Sequence, residues 1–381
     1  MNWLERYFRG DRMIWLVVMI LFIFSVLAVY SSTGTLAYKY KAGNTEYYLF
    51  KHMIIILFGF GLMYMFHLFD YTVFLKFAKF GLFISIPLLV LTLLTGTDLN
   101  EAKRWLTLPL INLSFQTSDF AKLALLVFVA RSLSKKQDHI KDFKTAFVPI
   151  ILPIILVCFL ILPANFSTAA VLFSTCLILM FIGRIKMKFI GALVLAGILT
   201  FGMYIGMAKL MGFEGRISTW QNRIENFSQG ESGENYQSEQ AKIAIASGGV
   251  IGKGPGNSTQ RNFLPHPYSD FIFAIIIEEY GLIGAVLLIA LYLILFYRTL
   301  KIVNKSPLAF ATLLSIGCAF SLVFQAFINM AVAVNLFPVT GQPLPLISMG
   351  GTSIWFTSLA IGIILSVSRK VEKENNDIAF A

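Results

Sequence analysis

"FIFAIIIEEYGLIGAVLLIALYLILFY", Phe271 to Tyr297, is a run of 27 mostly apolar residues that carries Glu278 and Glu279 near its start. As a helix rising 1.5 Å per residue it would measure about 40 Å, against roughly 30 Å of bilayer hydrocarbon. About seven residues are surplus to a crossing. If "FIFAIII" is that surplus and lies at or above the membrane boundary, the two glutamates come close to the boundary, where a charge costs far less than at the bilayer centre. Their plain structural role there is pairing with a lysine or arginine of the preceding loop.

The rest of the chain is of the same kind: 57% hydrophobic and 13% charged over 381 residues, with 36 phenylalanines and a mean hydropathy of +0.75. That composition excludes a soluble domain and defines a polytopic membrane protein. About ten apolar runs are long enough, or nearly so, to cross. They lie near Met13 to Ser31, Leu49 to Phe69, Phe77 to Leu94, Phe120 to Leu133, Ala146 to Leu162, Thr168 to Gly183, Phe189 to Leu210, Ile272 to Tyr297, Pro307 to Val334 and Ser353 to Val367. The first is long and has no small-residue cleavage site, so it reads as a retained helix.

The net charge of +11 does not call for nucleic acid, because its location accounts for it. Arg6, Arg9 and Arg12 precede the first run, and Arg131, Lys135, Lys136, Lys141 and Lys144 follow the fourth. Arg184, Lys186 and Lys188 follow the sixth, Arg298, Lys301 and Lys305 the eighth, and Arg369, Lys370 and Lys373 the last. If the helices alternate, every cluster falls on one side, which the positive-inside rule makes cytoplasmic. The expectation is therefore an all-α polytopic membrane protein of about ten transmembrane helices, with N and C termini cytoplasmic. It forms one domain over residues 1–381, with a large extracytoplasmic loop at 213–269 between helices 7 and 8 and a short cytoplasmic tail at 370–381. A loop of that length is ordinarily functional or disordered. Its aromatics, and "YQSEQAKIAIASGG" with helical spacing before Gly248 and Gly249, favour function.

Few groups are available for chemistry. Cys158, Cys176 and Cys318 sit inside apolar runs at unrelated spacings and read as packing residues. No His, Cys or acidic cluster has metal-ligand spacing. "GGVIGKGPGNSTQR" superficially resembles a phosphate loop, but Gly254 follows Lys253 where a magnesium-binding Ser or Thr belongs. The segment is either a flexible turn or a backbone nest for phosphate, with Lys253 and Arg261 supplying charge. Asp270 is equally open: it can cap the helix that follows or act as a general base at the membrane surface. A capping carboxylate would serve poorly as a base, because capping lowers its pKa. Arg104 and Lys122 bring positive charge to the outer face, and Asp119 and Lys122, three apart, can pair. Gln325 and Asn329, four apart in an apolar run, suit interhelical hydrogen bonds. His266 reads as a solvated loop residue near a helix start.

Four segments together resemble the SEDS family (shape, elongation, division and sporulation) over nearly the whole chain. "RWL" with "QTSDFAKL" is similar to the family's Arg-Trp and Gln-Pro-Ser-Glu-x-x-Lys segment, and "LPANFSTA" to its Pro-Asp-Leu-Gly-Thr segment. "GGVIGKGPGNSTQRNFLPHPYSDFIFAIIIEEYG" resembles its long motif with Thr-Asp-Phe-Ile-Phe-Ala and Glu-Glu-x-Gly, and "NLFPVTGQPLPLISMGGTS" its Pro-x-Thr-Gly-x-x-Leu-Pro motif. Thr117, Asp119, Asn165, Ser167 and His266 depart from the pattern, so Asn165 and His266 cannot serve as carboxylates.

The resemblance, closest to the division-type (FtsW-like) members, implies a peptidoglycan glycosyltransferase polymerising lipid II outside a bacterial cytoplasmic membrane. It implies Asp270 as the catalytic base, with Arg104, Lys122, Lys253 and Arg261 as candidates for the pyrophosphate. Asp119, Glu278, Glu279 and Ser348 would support them. A divalent cation, magnesium or manganese, could accompany the pyrophosphate without a protein cage. The implied partners are lipid II, a class B penicillin-binding protein and other division or elongation membrane proteins. A lipid II flippase and a non-catalytic scaffold are the alternative readings.

Overall fold

The computed structural model describes residues 8–99, 102–108, 113–211 and 236–379. Its helices are α1 (Arg12–Ser32), α2 (Gly34–Lys41), α3 (Thr45–Leu68), α4 (Tyr71–Thr95), α5 (Thr117–Lys135), α6 (Val148–Ile161), α7 (Phe166–Ile182) and α8 (Met187–Met211). After a gap in the description come α9 (Tyr236–Gly248), α10 (Ile272–Val303), α11 (Ala309–Ala333) and α12 (Gly351–Ala379). Each apolar run predicted from the sequence falls on one of these helices. Among the described residues seven helical stretches are long and apolar enough to cross a membrane, and Phe166–Ile182 and Met187–Leu199 are shorter apolar helices. Helix α5 carries Asp119, Lys122, Arg131 and Lys135 and is less apolar. The chain is a polytopic helical membrane protein.

One expectation is corrected. The chain is not wholly α: β1 (Thr97–Leu99), β2 (Ala102–Leu108) and β3 (Leu113–Gln116) form an antiparallel sheet in the order β1-β2-β3. Trp105 pairs with Gln116 and Leu106 with Phe115. Pairing satisfies backbone groups that a bare connection between α4 and α5 would leave to solvent. Helix α12 runs on through Ala379, so the described part of the 370–381 segment is helical.

The bundle is packed most closely where α12 lies along α3. A Cβ added at Gly362 would stand 2.6 Å from the Met63 carbonyl, so the small residue is what allows the backbones to approach. Helix α10 packs on α1 and α11, and α11 on α5 and α7. At one end of the bundle Asp11 caps α1, accepting from the N–H groups of Met13 (3.0 Å) and Ile14 (3.2 Å). The same carboxylate takes the Arg298 fork from α10, with Nε at 2.9 Å and Nη2 at 2.6 Å from Oδ2. Its own N–H donates to Ser368 Oγ of α12 at 2.9 Å. One aspartate thus ties three helices together.

Candidate functional site

At the opposite end of the bundle, α10 is broken. Gly281 has φ 65° and ψ −167°, so residues 272–280 form a separate short helix. The remaining 22 residues, 282–303, would measure about 33 Å, close to one bilayer crossing. Residues 271–277, the surplus recognised from length, are buried in protein, as are Glu278 and Glu279.

A break in a helix leaves carbonyls and N–H groups without partners. The segment after α9 supplies them. Lys253 and Gly254 N–H groups donate to the carbonyls of Glu278 and Glu279, both at 2.9 Å, and Leu282 N–H donates to the Gly249 carbonyl at 3.0 Å. Backbone meets backbone here, so side chains cannot intervene: a Cβ on Gly252 would lie 2.3 Å from the Glu279 carbonyl oxygen, and one on Gly281 2.2 Å from that of Val250. The glycines that resemble a phosphate loop therefore plug a helix break.

Both glutamates face this plug. Glu278 has no exposed surface and accepts from Lys253 Nζ (2.6 Å), Ser258 Oγ (2.5 Å), Thr259 Oγ1 (2.8 Å), Thr259 N–H (3.1 Å) and Gln260 N–H (3.2 Å). Glu279 accepts from the Ser258 N–H at 3.3 Å and from Ser31 Oγ at the end of α1. Arg261 Nη1 donates to the carbonyl and hydroxyl of Ser31, at 3.0 and 3.2 Å. Lys253 and Arg261, two candidates for pyrophosphate, are thus held against buried carboxylates and the end of α1.

Asp270 is different. The N-cap of α10 is Phe271, with no side-chain cap bond, so Asp270 is not the helix cap. Its carboxylate is partly exposed and has no hydrogen-bond or ion-pair partner among the described residues. Its backbone, by contrast, is strapped down. Met349 N–H donates to the Tyr268 carbonyl (2.9 Å), Ser348 Oγ to that of Ser269 (2.6 Å) and Asn329 Nδ2 to that of Asp270 (2.8 Å). The 342–349 segment that provides this strap is itself held by side chains. Asn329 donates to the Gln342 carbonyl (2.8 Å), Gln325 to that of Pro343 (3.1 Å), Tyr292 to that of Pro345 (2.5 Å) and Ser25 to that of Ile347 (2.7 Å). Buried His52 meets Ser25 Oγ at 2.7 Å from behind. Tyr268 lies beside Asp270; burial, and then the Asp270 carboxylate, hold its phenol above the usual tyrosine range. His266 meets Tyr268 Oη at 3.3 Å.

A second polar centre adjoins the strap. Lys122 Nζ lies 2.8 Å from Asp119 Oδ1 and donates to Gln325 Oε1 at 3.3 Å. Together with Ser321, Ser353 and Thr357 these side chains line a cavity between α5, α11 and α12. Asp119 Oδ2 is buried and unpartnered among the described residues. Gln325 and Asn329, one helical turn apart, join the cavity to the Asp270 strap. Arg104 lies on β2, and its side chain is outside the described residues. Asn165 caps α7, accepting from the Thr168 N–H at 3.2 Å. Gln325 and Asn329 do hydrogen-bond, but Asn329 Nδ2 serves loop carbonyls and not a second helix, and Ser25, a polar side chain inside an apolar run, joins the same strap.

A broken and plugged membrane helix, with an aspartate at its start that is unpartnered among the described residues, defines a polytopic helical protein with a candidate acid–base site. The chain belongs to the cell cycle protein family that includes FtsW, RodA and SpoVE, whose model matches residues 11–373. The stage V sporulation protein E of Bacillus subtilis is 31% identical over 372 residues, covering 94% of this chain and 97% of that protein. The probable peptidoglycan glycosyltransferase FtsW of Geobacter sulfurreducens is 32% identical over 378 residues, covering 97% of each. A solved structure described as "Structural coordination of polymerization and crosslinking by a peptidoglycan synthase complex" matches with TM-score 0.75 and 22% identity, over 95% of this chain and 98% of that one. The crystal structure of the rod shape determining protein RodA of Thermus thermophilus matches with TM-score 0.69 and 23% identity, over 97% and 99%. At such identities the structural likeness establishes the fold.

Proposed function

We propose that this protein is a peptidoglycan glycosyltransferase that polymerises lipid II, with Asp270 as general base. The observation that carries the proposal is the contrast at Asp270: a backbone fixed at three successive carbonyls and a carboxylate left unpartnered among the described residues. A base needs a free lone pair held in a fixed place. The carboxylate takes the proton of the acceptor sugar's 4-hydroxyl as its oxygen bonds to the donor anomeric carbon. The bond from that carbon to the pyrophosphate breaks, and the configuration inverts. Positive charge for the departing pyrophosphate would come first from Arg104 and from Lys122, which pairs with buried Asp119 yet lines the cavity beside the strap, whereas Lys253 and Arg261 close the plug. Among the described residues no group of three or more His, Cys, Asp or Glu side chains gathers to hold a metal. Magnesium or manganese therefore enters this proposal only as a companion of the pyrophosphate.

The proposal includes ten crossings, cytoplasmic termini and an extracytoplasmic active site in the bacterial inner membrane; the placement of the basic clusters supports it. A class B penicillin-binding protein is the proposed partner, supported by the likeness to a chain of a peptidoglycan synthase complex. The FtsW and sporulation names among the relatives favour a septal over an elongation role.

The test is lipid II polymerisation by the purified protein with its partner, wild type against Asp270→Asn. Loss of roughly 10²–10⁴-fold is expected for removal of a general base. Polymer formed at the wild-type rate would remove Asp270 as the base. Labelled lipid II that crosses vesicles without being polymerised would favour a flippase instead.

A further inference from the structure

Asp270 immediately precedes α10, the position from which an aspartate commonly caps a helix. In a cap its own carbonyl would accept the first intrahelical bond, from the Ala274 N–H, and its carboxylate would accept from the first turn. Neither happens. The Ala274 N–H donates to the Phe271 carbonyl at 3.0 Å, and the Asp270 carbonyl is taken from another direction by the Asn329 side chain. Asn329 Nδ2 has two hydrogens and uses both, one on Asp270 and one on Gln342, each at 2.8 Å. Only 1% of this residue is exposed, so water cannot replace these bonds. The alternative is close by. Phe271, at φ −107° and ψ 15°, is about 44° in φ and about 57° in ψ from helical values, with no forbidden region between.

We propose that Asn329 is a positioning residue that holds the Asp270 backbone out of the helix cap and so keeps its carboxylate available to accept a proton. This rests on Asp270 being the base. A carboxylate that accepts from the N–H groups of a helix start is stabilised as its anion and becomes a weaker base. A single amide on α11 thus selects chemistry over structure for one aspartate. The straps from Ser348 and Met349 act on Ser269 and Tyr268 and leave the Asp270 carbonyl to Asn329. Among the described residues Tyr268 is a titratable neighbour of Asp270, reached through space and not through this bond.

The test compares Asn329→Asp, Asn329→Leu and Asp270→Asn in the lipid II assay with the partner present. Asn329→Asp keeps the shape and removes both donors; it carries the test if the leucine variant does not accumulate. Thr299→Val is the control, because Thr299 is fully buried yet bonds within its own helix, to the Leu295 carbonyl at 2.9 Å. In both Asn329 variants kcat is expected to fall about tenfold or more with KM within about threefold, the pattern of a lost transition-state contribution. The acid limb of the kcat–pH profile moves to lower pH in Asn329→Leu and stays in place in Thr299→Val. Added to Asp270→Asn, an Asn329 substitution causes little further loss, because both act through one carboxylate. Asn329 variants that lose thermal stability yet keep the wild-type kcat and pH profile overturn the proposal while Asp270→Asn is inactive. If Asp270→Asn is itself fully active, the reading of Asp270 as base has failed instead.

Discussion

Lys253 Nζ lies 2.6 Å from Oε1 of Glu278, whose side chain has no exposed surface, and this pair fastens the plug over the break in α10. Removing one member of a buried pair leaves the other charge uncompensated, at about 3–5 kcal/mol. Glu278→Ala is expected to fall in that range, because six donors on five residues lose their acceptor. Lys253→Met should cost about 1–3 kcal/mol, since Glu278 keeps its hydroxyl and amide donors. Thermal unfolding in detergent measures both. A Lys253→Met protein of unchanged stability but raised KM for lipid II would return Lys253 to the substrate.

Gly281→Ala should prevent accumulation of folded protein. Its backbone is in a region that L-residues avoid, and the new methyl would meet the Val250 carbonyl oxygen at 2.2 Å. Strain of about 1–3 kcal/mol adds to the loss of plug contacts. Gly61→Ala, where nothing lies within 4 Å, is the comparison and should accumulate normally. Size-exclusion profiles of the two variants decide the matter.

Arg298→Met should loosen the far end of the bundle. The forked, charge-assisted bonds to Asp11 lose about 1.5–3 kcal/mol. Asp11 also caps α1, so hydrogen exchange at the Met13 and Ile14 amides should quicken before exchange near Asp270 does. Uniform acceleration would mean that the clasp is not a local unit.

Lys122→Met leaves Asp119, 4% exposed, without its cation. Both stability and polymerisation are expected to fall, stability by about 3–5 kcal/mol. Lys122→Arg should retain most of both. A wild-type polymerisation rate in Lys122→Met would remove this residue from the pyrophosphate candidates.

Tyr268 gives a pH test. Its phenol is raised first by burial and then by Asp270. A raised folded-state value means that the stabilisation is complete below the unfolded value near 10 and is lost as pH rises through the folded value. Above about pH 10, wild type should lose melting temperature faster than Tyr268→Phe. Parallel curves would show that Tyr268 titrates as it does in an unfolded chain.

Much was legible before folding was considered. The 27-residue run at Phe271 exposed a surplus, and the structure breaks the helix at Gly281 to accommodate it. The three-residue spacing of Asp119 and Lys122 gave a real ion pair. The β-ribbon was not legible, because its short strands are defined by pairing with one another and carry weak patterns alone. The role of the glycine-rich segment stayed open for a related reason: its composition is equally suited to cradling a phosphate or a broken helix.

The positions of the apolar runs, the placement of the basic clusters along the chain and the motif order are local properties, and the amino-acid sequence alone determined them. Which polar groups are committed was decided only by tertiary structure. Ser31 and Glu279 are 248 positions apart, Asp11 and Arg298 are 287 apart, and Asp270 reaches Asn329 across 59. A side chain buried among apolar helices must find whatever donor or acceptor the packing brings to it. That packing engages Lys253, Arg261, Glu278 and Glu279 in closing the fold and leaves the Asp270 carboxylate unpartnered among the described residues.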